Sequence, residues 1–568
     1  MHYVVLATDY DGTLAADSRV DAATVSALED LRQGGRRIIL VTGRELDDLK
    51  RVMPRLDLFD RIVAENGALL FQPATGEERC LADPPPPRFV ARLNEMGVAP
   101  LSVGRVIVAT WEPNEGKVLE AIKDLGLELH IVFNKGAVMV LPAGVSKESG
   151  LRAALEELNI ARLNSVGVGD AENDFAFLDL CGLPVAVANA IPSLREHAVL
   201  VTEGERGAGV VELARRMLAT DLAECDAGNP RQQVALAAPL PDDPSDAITF
   251  APPRACMLLV GVSGGGKSTL TLGLVERVAD AGMQFCVIDP EGDYAEVQGA
   301  ICIGTAQEPP RVEAVLDVLG KTDTSAVVNL LGVQLHDRPA FLAELLPELM
   351  MLRRRVGRPH FIVVDEAHHM LPATTAGEIA DSDLAGMMFI TTRPGALAER
   401  VLRAVDRIIA VGDAPEESLR HFCEVRELPI PADSVELVKG EMLTLSVDAP
   451  APRHMRVIPG KGQQRRHIRK YAEGALHEDK CFYFRGPGAR LNLRAQNLIS
   501  FIQIGEGVDR ETWEFHRGRG DYSRWIGLAI KDRELTREIE QLERSDQPTD
   551  EARRALRAAI EARYTLPS

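Results

Sequence analysis

The stretch YVVLATDYDGTL, Tyr3–Leu14, runs from a continuous apolar segment straight into two carboxylates two residues apart and a glycine. Unbroken Val/Leu/Ala runs of this length are the pattern of a buried parallel strand. Gly12 lets the chain turn sharply where the strand ends. Outward from this point the same pattern recurs. Asp21–Gly34 has apolar residues at helical spacing, RIILVTGR (Arg37–Arg44) is a strand, and RIVAENGALLF (Arg61–Phe71) is a further strand region. A stiff break follows at residues 83–88, which include four consecutive prolines. Residues 89–141 form a small α/β unit of helix, strand (Val103–Trp111), helix and strands, and the larger pattern resumes with a helix from Ser146, NSVGVGD (Asn164–Asp170) and PVAVANA (Pro184–Ala190).

Chemistry-bearing residues stand at the ends of these strands. Asp9 and Asp11 can face one pocket, one to attack phosphorus and the other to deliver a proton. Thr42 ends the next strand and can hydrogen-bond a phosphate oxygen; Lys147, in GVSKESGL, opens a helix and can neutralise the phosphate and its attacker. Asp170, Asn173 and Asp174, in GVGDAENDF, end another strand. Hard oxygen ligands around an acidic pair suit Mg²⁺. Strand ends in this order converge at the carboxyl edge of one sheet, where such folds bind ligands.

These four motifs, in this order over roughly residues 1–220, resemble the haloacid dehalogenase superfamily, specifically its Cof-like phosphatases. The resemblance implies a Rossmann-like core over 1–82 and 142–222 with an α/β cap at 83–141 that sets the substrate. It implies Asp9 as a nucleophile forming an aspartyl-phosphate and Asp11 as the acid/base. It implies that Thr42 and Lys147 hold the phosphoryl group. Asp9, the Asp11 carbonyl and Asp170 would bind Mg²⁺, with Asp174 in support. The shortness of the cap favours a small phosphate ester.

A second phosphate-handling motif lies about 250 residues on. GVSGGGKST, Gly261–Thr269, follows the strand MLLV and precedes the helix TLTLGLVERVADAG, the context a phosphate-binding loop requires. Gly261, Gly264, Gly265 and Gly266 let backbone N–H groups curl around phosphates at a helix N-terminus. Lys267 would reach the β/γ-phosphates of ATP, Ser268 would bind Mg²⁺, and Thr269 completes the motif. In HFIVVDEAHHM, Asp365 would hold the Mg²⁺ through water and Glu366 would polarise the attacking water, whereas His368 and His369 read as packing or surface residues. FCVIDPEGD, AVVNLLG, MMFITTRPG and RIIAVGD complete a parallel sheet expected over 253–460. With DPEGDY (Asp289–Tyr294), VVDEAHHML and FITTRPGAL, this region resembles the HerA/FtsK-type pumping ATPases. That resemblance implies a P-loop NTPase domain, usually a hexameric ring with an arginine finger in trans, for which Arg393, Arg400 and Arg403 are candidates. Thr391-Thr392-Arg393 stands where relatives often carry a glutamine sensor.

The remainder bounds these readings. The 568 residues are too many for one core, and no apolar run of about 18 residues predicts a membrane span. The N-terminus has no basic region before its short apolar run, so no cleaved signal is expected. Eight cysteines without CxxC spacing predict no zinc site and fit a reducing cytoplasm. The net charge is −20, yet residues 453–568 hold 23 Lys/Arg against 17 Asp/Glu while the rest holds 41 against 67. So acidic a body does not favour nucleic acid as a partner. Residues 223–252, rich in Pro, Ala and Asp, are expected to be a linker. Residues 461–568 are expected to be mostly helical, with Trp513 and Trp525 in a core and the basic run Arg465–Lys470 on a solvated face.

The sequence thus describes a multidomain α/β chain: a Mg²⁺-dependent phosphomonoester hydrolase for a small phosphorylated metabolite, fused to an ATP-binding and hydrolysing module that regulates it. A DNA-associated motor with an accessory phosphatase, or a nucleotide-dependent regulatory scaffold, are the alternatives.

Overall fold

The computed structural model describes residues 1–134, 136–241, 246–373, 384–430, 435–460, 476, 480–530 and 532–564. The basic run Arg465–Lys470 lies outside the described residues. The opening apolar run forms β1 (Val5–Thr8), buried throughout. The helix after it, Ala22–Gln33, starts where the Asp21 carboxylate accepts from the Thr24 N–H and stops at Gly34. Then come β2 (Arg37–Val41), β3 (Arg61–Ala64), β4 (Leu69–Gln72) and β5 (Glu77–Cys80). The cap inserts β6 (Ser102–Val103), β7 (Val108–Trp111), β8 (Leu129–Asn134) and β9 (Ala137–Pro142) as an antiparallel sheet ordered β6-β7-β9-β8. Its helices Pro87–Glu95 and Glu115–Leu125 bury Phe89, Leu93, Val118 and Ile122 against Val138 and Val140. The core resumes with β10 (Ser165–Gly169), β11 (Leu183–Ala186) and β12 (Leu200–Val201), giving the order β12-β11-β10-β1-β2-β3-β4-β5. The six strands from β12 to β3 are parallel, and the hairpin strands β4 and β5 close one edge in antiparallel pairing.

The segment 223–252 differs from its expected role as a linker. It carries β13 (Val234–Ala238) and β14 (Ile248–Phe250), which join the second sheet. The remaining strands of that sheet are β15 (Cys256–Gly261), β16 (Phe285–Asp289), β17 (Ala300–Ile303), β18 (Ser325–Asn329), β19 (Phe361–Val364), β20 (Met387–Thr391), β21 (Arg407–Val411), β22 (Glu441–Ser446) and β23 (Arg453–Val457). The order is β14-β13-β23-β22-β21-β15-β20-β19-β16-β18-β17, parallel from β21 to β17 and antiparallel beyond. Only β14 is at the edge; β13 is bonded on both sides, by β14 and β23. The prolines that make the segment read as a linker fall outside both strands, where they remove no ladder hydrogen bond.

The C-terminal part pairs β24 (Phe482–Phe484) with β25 (Leu493–Ala495) and packs them under helices. Phe482, Phe484, Phe501, Trp513, Tyr522 and Trp525 form its core. Among the described residues, no helix is long and apolar enough to cross a membrane.

The two α/β sheets meet at the amino ends of their parallel strands. Residues just before β1, β10, β16 and β19 form one buried polar network. The Gln284 N–H donates to His360 Nδ1 (2.8 Å), so His360 Nε2 carries the proton and donates to Asn164 Oδ1 (3.1 Å). Asn164 Nδ2 donates to His2 Nδ1 (3.2 Å), and His2 Nε2 donates to Gln232 Oε1 (3.0 Å). Arg254, just before β15, pairs with Asp221 (3.0 Å) and Asp226 (2.7 Å), and Asp226 also accepts from the Tyr3 hydroxyl (2.6 Å). The carboxyl edges of the two sheets, and everything mounted on them, therefore face in opposite directions.

Burial favours the neutral form of both histidines, holding each well below the ordinary value of 6.5, with Arg254 adding to the effect at His2, and His2 and then Arg358 at His360. Protonation would set an N–H against the Asn164 amide or the Gln284 N–H. Above pH 6.5 both the folded and unfolded imidazoles are neutral; below it only the unfolded ones take up protons, so stability falls with pH. We expect the interface to weaken by up to about 1.4 kcal/mol per pH unit per histidine below 6.5. Thermal melts of the parent and of His360→Gln between pH 7.5 and 5.5 check this; equal acid sensitivity in both would refute it.

Candidate active site

Asp9 is the first residue past β1, tied to the sheet by its N–H on the Val168 carbonyl (3.0 Å). Gly12, at φ 92°, turns the chain, and Asn189 Nδ2 holds the Gly12 carbonyl (2.9 Å). Lys147 is delivered by the first turn of the helix Lys147–Glu157, whose Ser146 cap and Ser149 bond reciprocally. That helix start lies so close to Gly67 (φ 104°) that a Cβ there would fall 1.8 Å from the Ser146 carbonyl oxygen. Lys147 is 2% exposed. Its Nζ donates to Asp9 Oδ1 and Asp174 Oδ1, each at 2.6 Å. Asp174 Oδ2 accepts from the Asp170 and Ala171 N–H groups, both at 2.9 Å, and Asp170 Oδ1 accepts from the Thr13 hydroxyl (3.1 Å). Thr42 is buried at the end of β2, where its hydroxyl oxygen accepts from the Arg44 N–H (3.1 Å).

Three buried carboxylates surround one buried ammonium, a formal excess of two negative charges. Burial, then Asp174, pushes Asp9 up to about 7 against the pull of Lys147. At Lys147 burial works to lower the pKa, but Asp174 and Asp9 outweigh it and hold the ammonium firmly charged. One oxygen each of Asp9, Asp170 and Asp174 lies within 4.8 Å of the others. A compact set of hard, acidic oxygens fits a divalent cation such as Mg²⁺. With both its oxygens engaged by Lys147 and two N–H groups, Asp174 is suited to positioning.

Asp11 stands apart from this cluster. Arg44 grips both of its carboxylate oxygens at 2.6 Å and also bonds Asp48 (2.5 Å) and Ser18 (2.6 Å). The side chain of Asp11 is thus not among the clustered oxygens; only its carbonyl was expected as a ligand.

The fastening of the cap was not read from the sequence. Glu65 and Asn66, read as part of a strand, instead form a turn with φ 52° and 56°. The buried Glu65 carboxylate accepts from the N–H groups of Arg105 (2.8 Å), Val106 (2.8 Å) and Ile107 (3.1 Å) in the cap. The available signal was the Asn-Gly pair between two apolar runs, a turn signature. Met139 of β9 reaches over the site, 3.7 Å from where a side chain at Gly43 would begin, and Asn66 Oδ1 lies buried beside the same point without a hydrogen-bond partner.

On the opposite edge, the loop after β15 runs through Gly261, Gly264, Gly265 and Gly266 into the helix Lys267–Asp280, with Gly264 at φ 79° and Gly266 at φ 100°. Lys267 Nζ folds back on the carbonyls of Gly261 (2.9 Å) and Val262 (3.2 Å). Ser268 donates to Asp293 Oδ2 (3.2 Å), while Thr269 is exposed. Asp365 ends β19, one strand removed from β15, and burial followed by Glu366 and Asp289 pushes it up to about 8. Glu366 sits at φ 44°, a left-handed conformation costly for a side-chain-bearing residue. Tyr294 brings the parts together, since its buried phenol is raised by burial and then by Asp365 and Asp289, with Thr271 and Ser268 beside it. His368 is mostly packed, its Nδ1 3.1 Å from the Thr391 hydroxyl that was expected near a sensor.

A twisted parallel sheet with an acidic, lysine-centred pocket at its carboxyl edge and an inserted cap defines the class of capped α/β phosphohydrolases. Residues 6–90 and 104–213 match the family profile described as haloacid dehalogenase-like hydrolase. Over 222 residues the chain is 32% identical to a phosphoglycolate phosphatase of Methanothermobacter thermautotrophicus, covering 38% of this chain and 98% of that protein. It is 29% identical over 219 residues to phosphoglycolate phosphatase 2 of Saccharolobus solfataricus, covering 38% of this chain and 92% of the relative. It is 32% identical over 215 residues to a phosphoglycolate phosphatase of Haloarcula marismortui, covering 36% and 94%. Through this N-terminal part, the chain belongs to the haloacid dehalogenase-like hydrolases, and the part is a phosphatase.

Proposed function

We propose that the N-terminal domain hydrolyses the phosphomonoester of a small organic acid by way of Asp9, and that the second α/β domain binds and hydrolyses ATP. Buried Lys147, bridging Asp9 and Asp174, carries the first reading. The Asp9 carboxylate would meet an entering phosphoryl group, and the ammonium beside it would offset the charge that then develops, which supports the reading. Asp9 attacks phosphorus, the ester P–O bond breaks, and Asp11 gives its proton to the leaving oxygen. Water then attacks the phosphorus of the acyl phosphate on Asp9, Asp11 takes the water proton, and the Asp9 O–P bond breaks to release the Asp9 carboxylate and inorganic phosphate. Asp11 must leave Arg44 to do this. Thr42 holds a phosphoryl oxygen. Asp9 and Asp170, with Asp174 behind them, would hold Mg²⁺, which when bound shields the phosphoryl charge from the carboxylates. The relatives named phosphoglycolate phosphatases make 2-phosphoglycolate the first ester to try.

The loop Gly261–Thr269 and the nearby Asp365 and Glu366 support the second reading. Lys267 would exchange the Gly261 carbonyl for the β/γ-phosphates, Ser268 and Asp365 would meet the metal, and Glu366 would orient water.

Phosphate release from 2-phosphoglycolate, sugar phosphates and other small esters, with and without ATP, tests both readings. The expected result is Mg²⁺-dependent release from at least one small ester, and ATP binding that Lys267→Ala abolishes. Release from no ester defeats the first reading, and ATP binding unchanged by Lys267→Ala defeats the second.

A further inference from the structure

The C-terminal domain contains a cavity of about 510 Å³ that neither phosphate site uses. Phe482 and Trp525 give it an apolar floor continuous with the domain core, and Tyr483 and Phe515 stand at its sides. Leu528, 72% exposed, lies at the same cavity, an apolar side chain left facing solvent. Among the described residues, four cations, Lys480, Arg485, Arg519 and Arg524, line it against the single carboxylate of Asp521.

That carboxylate is already shared within the wall. It lies 2.9 Å from His516 Nδ1, 3.2 Å from Arg524 and 3.6 Å from Arg519. The positive excess is thus not balanced inside the cavity. Two of the guanidinium groups are held over rings, Arg485 at 5.4 Å from the Tyr483 centroid and Arg519 at 5.1 Å from that of Phe515. Such stacking fixes a planar fork without occupying its donors. The turn between these walls keeps Gly486, Gly488 and Ala489 at φ 68°, 66° and 53°. For Ala489 this is a strained conformation, of the kind that clusters at ligand sites. A Cβ on Gly488 would meet nothing within 4 Å, so its backbone is open to an incoming group.

The geometry points to a binding site for a nucleoside phosphate, with the phosphate on Arg485 and Arg519 and the planar base on the aromatic and aliphatic wall. Arginine forks match phosphate oxygens, aromatic faces accept bases of any sequence, and the volume is that of a small-ligand site. A bare phosphate would leave the Trp525 and Leu528 wall unused, and an uncharged nucleoside would leave the arginines unanswered. Lys480 also lies 3.6 Å from Glu291 of the second domain, so the site borders the Asp289–Tyr294 segment that holds Ser268.

The test is a titration of the full chain, in EDTA, with AMP, GMP, UMP and CMP, and with adenosine and inorganic phosphate alone, followed by tryptophan fluorescence and calorimetry. At least one monophosphate should bind saturably with a Kd below about 1 mM. Arg519→Gln and Arg485→Gln, both at exposed positions, should each weaken it about 10-fold, the loss expected for a charged hydrogen-bond donor. Lys267→Ala should leave it unchanged, which separates this site from the loop at Gly261. The proposal is overturned if no monophosphate saturates, if the affinity follows Lys267 instead of Arg519 and Arg485, or if adenosine or inorganic phosphate alone binds as tightly.

Discussion

Asp9→Asn is expected to lower phosphate release by about 10,000-fold or more, the scale on which losing a covalent nucleophile acts, while leaving the chain folded. The stability effect has a definite sign. Asp9 is raised from 3.8 to about 7 by its burial and by Asp174. A carboxyl group whose folded pKa is raised contributes stability below its unfolded pKa and loses it as pH rises through the folded value. At pH 8 the metal-free parent carries that full penalty and the asparagine variant does not. The variant should therefore melt at an equal or higher temperature without Mg²⁺ and gain less than the parent when Mg²⁺ is added. Phosphate release and paired melts with and without the metal measure both effects. A variant that keeps its turnover would remove Asp9 from the chemistry.

Lys147→Met is the second large effect. It removes the one cation between Asp9 and Asp174, each 2.6 Å away, and leaves both carboxylates buried. Breaking a buried pair in this way costs about 3–5 kcal/mol, and activity should be lost with it. The deficit should shrink at acid pH, because protonating the stranded carboxylates relieves it. Comparing parent and variant at each pH cancels the separate acid sensitivity of His2 and His360. Urea unfolding at pH 5 and pH 8 reads the difference, and an equal deficit at both pH values would show that Lys147 acts through packing instead of charge.

The two α/β sheets touch through the amino ends of their strands. What they share combines imidazoles and amides, in which Asn164 bonds both His2 and His360, with the charged group of Arg254, Asp221 and Asp226.

Much of the first site was legible because its residues sit at strand ends in short local motifs. DYDGTL and GVGDAENDF each place carboxylates within a few residues, and a single strand-to-turn step sets their direction. Lys147 was legible as a helix-start cation able to neutralise the phosphate and its attacker; its second partner, Asp174, was not. The grip of Arg44 on Asp11 was missed, although VTGR was read, because nothing in a strand-end arginine names its ion-pair partner.

The sequence by itself determined the two α/β series, their order, the acidic pair on the first strand and the glycine loop at Gly261. These follow from periodicity and backbone freedom, which act between near neighbours. Only the tertiary structure decided that residues 223–252 carry two strands of the second sheet, that Glu65 fastens the cap, that His2 and His360 are buried at an interface, and that Arg485 and Arg519 overlook one cavity. Each of these depends on which groups lose water together, and that is set by chain segments meeting across long separations, where hydrogen bonds and desolvation leave no periodic mark on the sequence.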